Sequence, residues 1–270
     1  KNKLMSCTSK NYQIIKKKYL KFVKSQEVLS EPFRDKIEQL NNFYFPICKS
    51  IYENFKTNKK TKIVGLTGGQ GSGKSTILKI LKIILNEGYN LNTITFSIDD
   101  FYKKFSEREV MSKKISPLFK TRGVPGTHDT KLLMKCLKNL KSPKFKRILI
   151  PKFDKSIDDR LPKNKWQKVR QRPDIVIFEG WCVGAIPQKN KSLVNPINVL
   201  EKKSDKKRIW RNYVNKELKT SYNNIFKLID KYIFLKVPSF KHVYKWRSLQ
   251  EKKLILTAKG KKTMSKSQIK

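Results

Sequence analysis

Apolar residues recur at helical spacing near the start of the chain. Tyr12, Ile15, Tyr19, Phe22 and Val23 stand among lysines, and Ile37, Leu40, Phe43, Tyr44, Ile47 and Ile51 follow. Such spacing predicts amphipathic helices over most of residues 11–56, with Pro46 placed to kink or break the second. After a basic, polar joint the pattern changes. Ile63-Val64-Gly65-Leu66-Thr67 is a short apolar run ending in a glycine-rich turn, and Thr76–Leu85 is a strongly apolar helix. Further strands are predicted at Thr93–Ile98, Arg147–Ile150, Ile175–Phe178 and Tyr232–Leu235. The run Ile175–Phe178 is continuous and apolar, as in a strand covered on both faces. Helices are expected over Leu132–Leu140, most of Lys191–Asp230 and Phe240–Leu256, and a long polar loop over Arg108–Asp129. Strands alternating with helices predict an α/β fold, a parallel sheet with helices on both faces. Residues 1–60 are expected as an N-terminal helical extension and 61–270 as the core.

Composition adjusts this picture in two places. The chain is 38% hydrophobic, enough for a sizeable core, yet carries a formal net charge of +42. Such a charge first suggests nucleic acid or an acidic membrane. The basic residues, however, are 53 Lys and only 10 Arg, and Arg is the better bidentate reader of phosphate. The expectation is a solvated surface with a general attraction for anionic substrates, no specific nucleic acid and no membrane. No apolar run approaches the roughly 18 residues of a transmembrane helix. Cys7, Cys48, Cys136 and Cys182 are far apart, which suggests reduced thiols in a cytoplasmic protein. Two histidines exclude a His-rich metal site.

The chemistry begins at Gly68-Gly69-Gln70-Gly71-Ser72-Gly73-Lys74-Ser75, which fits the Walker A pattern between a predicted strand and a predicted helix opening at Thr76. Glycines let successive N–H groups face one anion, and the helix N-terminus adds its positive end. Lys74 reaches the β- and γ-phosphates of ATP, and the Ser75 hydroxyl ligates Mg²⁺. Asp99 and Asp100 follow the second strand, at the edge where open α/β sheets bind ligands. Mg²⁺ or a hydroxyl awaiting deprotonation would explain them; so would a helix cap plus a surface charge. On an extended strand end the two side chains would point to opposite sides. Glu179 ends the apolar strand Ile175–Phe178, the Walker B arrangement, and would hold Mg²⁺ directly or through water. Arg122-Gly123-Val124-Pro125-Gly126-Thr127-His128-Asp129 reads as a tight turn whose Asp129 could cap the next helix. Pro151-Lys152-Phe153-Asp154-Lys155-Ser156, with Arg160 beyond it, gathers further charge. Arg247, on the last predicted helix, is either a surface or a catalytic residue.

The order Walker A, SIDDFY, RGxPGTHD, PxFDKS with a later Arg, FEGW and VYxWR resembles the D-glycerate 3-kinases and the related yeast-type ATP-dependent kinases. They lie within the uridine kinase, phosphoribulokinase and pantothenate kinase superfamily of P-loop proteins. The resemblance runs from about Lys62 to Glu251. It implies ATP- and Mg²⁺-dependent transfer of a phosphoryl group to the hydroxyl of a glycerate-like anion. It makes Asp99 the base, Asp100 and Glu179 metal-holding carboxylates, and Arg247 the charge on a closing lid. Arg122, His128, Asp129, Lys152, Asp154 and Arg160 fall in the substrate-facing loops. Phe153 stands where uridine-kinase-like chains often have Tyr, which argues against a nucleoside acceptor. The alternatives are another small-molecule kinase, of uridine or pantothenate type, and a nucleic-acid-associated NTPase. The superfamily pattern continues past the lid helix, so the sequence ending at Lys270 is expected to be a piece of a longer chain.

Overall fold

The computed structural model describes residues 9–27, 32–239, 241–246 and 248–249. In chain order these form helices α1 (Ser9–Gln26), α2 (Lys36–Gln39) and α3 (Phe45–Lys56), then strand β1 (Lys62–Gly68), helix α4 (Lys74–Tyr89) and strand β2 (Thr93–Ser97). There follow α5 (Phe105–Lys114), α6 (Thr130–Lys141), β3 (Ile148–Ile150), β4 (Phe153–Asp154), β5 (Asp159–Arg160), β6 (Gln167–Val169) and β7 (Ile175–Gly180). The last named elements are α7 (Val199–Ser204), α8 (Ile209–Glu217), α9 (Asn223–Phe226) and β8 (Lys231–Leu235). Residues 241–246 and 248–249 are helical, within the segment expected as a final helix. The chain divides into two compact units, one of residues 1–95, 172–181 and 233–270, the other of 96–171 and 182–232.

The first unit is built on a parallel four-stranded sheet of order β2-β7-β1-β8. Every residue of β1 and β7 is buried, so both faces of these strands are covered, and their centres, Ile63–Leu66 and Ile175–Phe178, read as apolar runs. Their register sets Leu66 opposite Glu179 and Thr67 opposite Gly180, so the turn after β1 and the carboxylate near the end of β7 emerge side by side. The α1 residues Ile15, Tyr19 and Val23, four apart, pack with Leu81, Ile84 and Leu85 of α4 into one core that also takes Cys48 and Ile51 of α3. Pro46 does not break the second helix. A five-residue π-helical segment, Leu40–Tyr44, runs directly into α3, where Pro46 sits in the first turn and its missing N–H costs nothing.

The second unit departs from expectation in three places. Residues 105–114 are helical rather than loop. The only buried residue of α5 is Arg108, so no apolar stripe announces the helix. The strand at Ile148–Ile150 does not join the parallel sheet; it pairs antiparallel with Gln167–Val169. A second small ribbon pairs Phe153–Asp154 with Asp159–Arg160. Strands of two or three residues are too short to show a period of two. Third, β2 ends at Ser97, and Asp99 and Asp100 lie in a 3₁₀ turn, Ile98–Phe101, rather than on extended chain.

Candidate active site

In the first unit the turn between β1 and α4 is shaped by two kinds of glycine. Gly73 has φ 81° with open space around its α-carbon, so the requirement is conformational. Gly68 is needed for space: a β-carbon there would stand 2.8 Å from Cβ of Leu235. Lys74 opens α4 and folds back over the turn, its Nζ donating to the carbonyls of Gly68 at 2.9 Å and Gly69 at 2.8 Å. The Ser72 hydroxyl is buried with no hydrogen-bond partner in the structure, a group an incoming phosphate oxygen would satisfy. Gln70 and Ser75 are exposed, and the Thr76 N–H closes the first helical turn on Gly73 O at 3.0 Å. The Ser75 hydroxyl lies 3.4 Å from Oε1 of Glu179, itself buried at the end of β7. A hydroxyl and a carboxylate oxygen side by side fit a small hard cation such as Mg²⁺, which takes one or two protein oxygens and completes its shell with phosphate and water.

In the second unit one short ribbon delivers three cations to three carboxylates. Lys152 precedes β4, Lys155 lies in its tip and Arg160 ends β5. Their partners are Asp100 at 2.8 Å, Asp99 at 2.6 Å and Asp129 at 3.3 Å, respectively. Asp100 also accepts from the Ser97 N–H at 3.2 Å, and the Ser97 hydroxyl accepts from the Asp99 N–H, a reciprocal cap that fixes the turn. Burial pushes the Asp99 carboxyl up, but the Lys155 ammonium and the Tyr102 hydroxyl outweigh it and hold it below the usual carboxylate range. Asp99 is therefore ionised at neutral pH. Asp129 caps α6 through Leu132 N–H, and Asp154 turns its own loop by accepting from Ser156 N–H and Oγ.

Exposure separates the cations. Lys152 is 37% exposed, Lys155 61% and Arg122 27%, all within reach of a solute, whereas Arg160 is 8% exposed and spends its guanidinium on Tyr102 O and Asp129. His128 offers no cation. Burial drives its pKa down to about 3, and its ring stacks on Tyr102 at 4.3 Å. Its Nδ1 meets the Tyr222 hydroxyl at 2.5 Å, and that hydroxyl accepts from Gly126 N–H at 3.0 Å. Tyr222 closes a second π-helical segment, Leu218–Tyr222, which continues α8. Arg247 lies outside the described residues.

Three residues escaped the sequence reading. Arg108 is fully buried and donates to Lys103 O at 3.3 Å, Lys120 O at 2.6 Å and Asp158 O at 2.7 Å, while pairing with the Asp158 carboxylate. Asp158, at the ribbon tip with φ 54°, also pairs with Arg122, whose guanidinium lies over the Phe153 ring. Arg108 thus ties the ribbon to α5. A lone Arg in a polar stretch carries no signal of this. Lys155 stood within the PxFDKS motif, and its spacing from Lys152 was the available clue.

The sequence profile of the phosphoribulokinase/uridine kinase family matches residues 63–240. The uncharacterized kinase mug58 of Schizosaccharomyces pombe is 33% identical over 213 residues, which cover 76% of this chain and 75% of that protein. The probable ATP-dependent kinase TDA10 of Saccharomyces cerevisiae is 32% identical over 229 residues, 77% of this chain and 73% of its own. Among solved structures, the D-glycerate 3-kinase of Cryptococcus neoformans superposes with a TM-score of 0.73 at 27% identity, covering 84% of this chain and 83% of that one.

Proposed function

The chain belongs to the phosphoribulokinase/uridine kinase family and is an ATP-dependent kinase; from that premise we propose that it phosphorylates a hydroxyl of a compact hydroxy acid, D-glycerate, to give 3-phosphoglycerate. The observation that carries this reading is the pair Asp99–Lys155, a carboxylate kept ionised with an ammonium 2.6 Å away. A base beside an exposed cation suits an acceptor whose hydroxyl and carboxylate lie a few bonds apart. Pantothenate spaces these groups too widely, and uridine has no carboxylate. The likeness to the fungal D-glycerate 3-kinase supports the same acceptor.

In this reading Asp99 accepts the hydroxyl proton as attack begins, and Lys155, Lys152 and Arg122 hold the acceptor carboxylate. Lys74 leaves the carbonyls of Gly68 and Gly69 for the β- and γ-phosphates, and the Ser72 hydroxyl and the N-terminus of α4 add donors. Ser75 and Glu179 would hold Mg²⁺, with Asp100 as a further carboxylate for it once Lys152 turns to the acceptor. The metal, when bound, supplies charge neutralisation at the phosphates. Arg247 is kept as the lid charge. His128, neutral and buried, positions Tyr102 by stacking rather than binding the acceptor directly. The described cysteines Cys48, Cys136 and Cys182 are free and buried, and the cytoplasm is kept as the proposed compartment. No described helix is long and apolar enough to cross a membrane.

The test is ADP release with ATP, Mg²⁺ and D-glycerate, L-glycerate, pantothenate or uridine as acceptor. Turnover with D-glycerate well above the others is expected. Turnover confined to uridine or pantothenate, or stimulated only by nucleic acid, would overturn the assignment.

A further inference from the structure

The second unit contains a cleft that none of the residues discussed so far lines. Its volume is about 640 Å³, within the range of small-molecule sites. One wall is α8 and its continuation: Arg208, Asn212, Lys216 and Lys219 recur three or four residues apart and share a helix face. Facing them is the 3₁₀ turn Asn190–Leu193, which brings Asn190 and Lys191. A different face of α8 is already used. Tyr213 and Glu217 lie over Gly126, where a β-carbon would stand 2.9 Å and 3.4 Å from them. The cleft is therefore set apart from the loop that carries Arg122 and His128.

Four cations converge there, and no Asp or Glu lines the cleft. Among the described residues none of the four has an acidic partner within 4 Å; Lys219 donates instead to the neutral amide of Asn190 at 2.8 Å. The contrast with Lys152, Lys155 and Arg160, each seated on a carboxylate, is direct. The walls are fixed from behind. Buried Arg211 donates to the Asp205 carboxylate at 2.9 Å and to the carbonyls of Leu193 at 2.8 Å and Val194 at 3.3 Å. Buried Asn215 clasps Gln188, accepting from its N–H at 2.8 Å and donating to its carbonyl at 3.0 Å. Arg208 itself is held at φ 61°, a backbone conformation rare for a residue with a side chain.

We propose that this cleft is a second ligand site, taking a small phosphate-bearing polyanion such as a phosphorylated metabolite. Unpaired cations on a rigid wall repel one another, and a polyanion relieves that repulsion while Arg208 offers a planar fork to a phosphate. The amides of Asn190 and Asn212 supply neutral donors beside the charges. The site stands whether or not the acceptor is glycerate.

A lysine-rich surface binds anions weakly everywhere, so the experiment holds total charge constant. Inorganic tripolyphosphate is titrated calorimetrically into the whole protein at about 0.15 M salt, with the nucleotide loop saturated by a non-hydrolysable ATP analogue and Mg²⁺. Wild type is compared with Arg208→Ser/Lys216→Ser and with Lys17→Ser/Lys21→Ser, which removes two exposed lysines of α1. Lys219→Ser alone is measured as well, in case the double change disturbs α8. One saturable site is expected, weakened about tenfold or more by the cleft substitutions and less than about twofold by the α1 pair. Equal losses in the two double variants, no loss in either, or no saturable binding in wild type would each overturn the proposal.

Discussion

The glycine-rich turn of the first unit and the charged ribbon of the second place their polar groups by different means. The turn Gly68–Ser75 is mainly backbone, positioned by the ends of β1 and α4, and its one ammonium rests on carbonyls of the same turn. The ribbon region works through side chains brought from distant positions: Lys155 reaches Asp99 across 56 residues, Lys152 reaches Asp100 across 52, and Arg108 reaches Asp158 across 50. A backbone site needs the right residues in a row. A site of paired side chains needs the whole unit folded, and one of these pairs, Lys155 with Asp99, holds its carboxyl below the usual range.

The sharpest break in that comparison is Lys74→Ala. It removes the single charge of the turn without touching the core, so turnover should fall roughly 10³-fold or to background, with the melting temperature unchanged. Near-normal ADP release from a folded variant would show that the turn does not carry the reaction. Asp99→Asn should lower kcat by roughly 10²–10⁴-fold with ATP affinity little altered. Asp100→Asn should instead raise the Mg²⁺ concentration needed for half activity. Steady-state titrations over ATP, acceptor and Mg²⁺ distinguish these outcomes, and the reverse pattern would exchange the two roles.

Arg108→Met tests whether the ribbon depends on its buried clamp. Three carbonyls lose a donor and Asp158 loses one of its two arginines, so denaturant unfolding should show a loss of about 3 kcal/mol. The KM for the acceptor should rise more than that for ATP, because Arg122 leans on the same Asp158. Equal rises in both would mean that Arg108 acts on general stability alone.

The last effect concerns pH. His128 is neutral in the fold, with its pKa lowered by burial to about 3, while the unfolded chain takes up a proton below about pH 6.5. The unfolded state thus binds more protons in that window. Stability is full above pH 6.5 and declines as pH falls toward 3, by at most about 1.4 kcal/mol per unit. Asp99 works lower: its depressed pKa contributes stability above the ordinary carboxylate value, lost as pH falls below it. His128→Asn should flatten the stability profile between pH 6.5 and about 4.5, read by denaturant midpoints. A slope identical to wild type would place the titration elsewhere.

Local sequence alone determined the half built on β1 and β7. Continuous apolar runs require strands covered on both faces, which β1 and β7 are, and the spacing of glycines, Lys74 and Ser75 specifies a tight turn between strand and helix from adjacent residues. The helical spacing of Ile15, Tyr19 and Val23 likewise survives folding, because a helix converts sequence distance directly into a face. Tertiary structure alone decided the rest. It turned Asp99 and Asp100 into one capped turn, seated three cations in and around one short ribbon on three separate acids, and left His128 uncharged. It also hid α5 from view, since that helix buries an arginine instead of an apolar stripe. The physical reason is shared: hydrophobic periodicity reports what is excluded from water along one element. The partner of a buried charge is chosen in space, by whichever distant group the folded backbone brings within hydrogen-bonding reach.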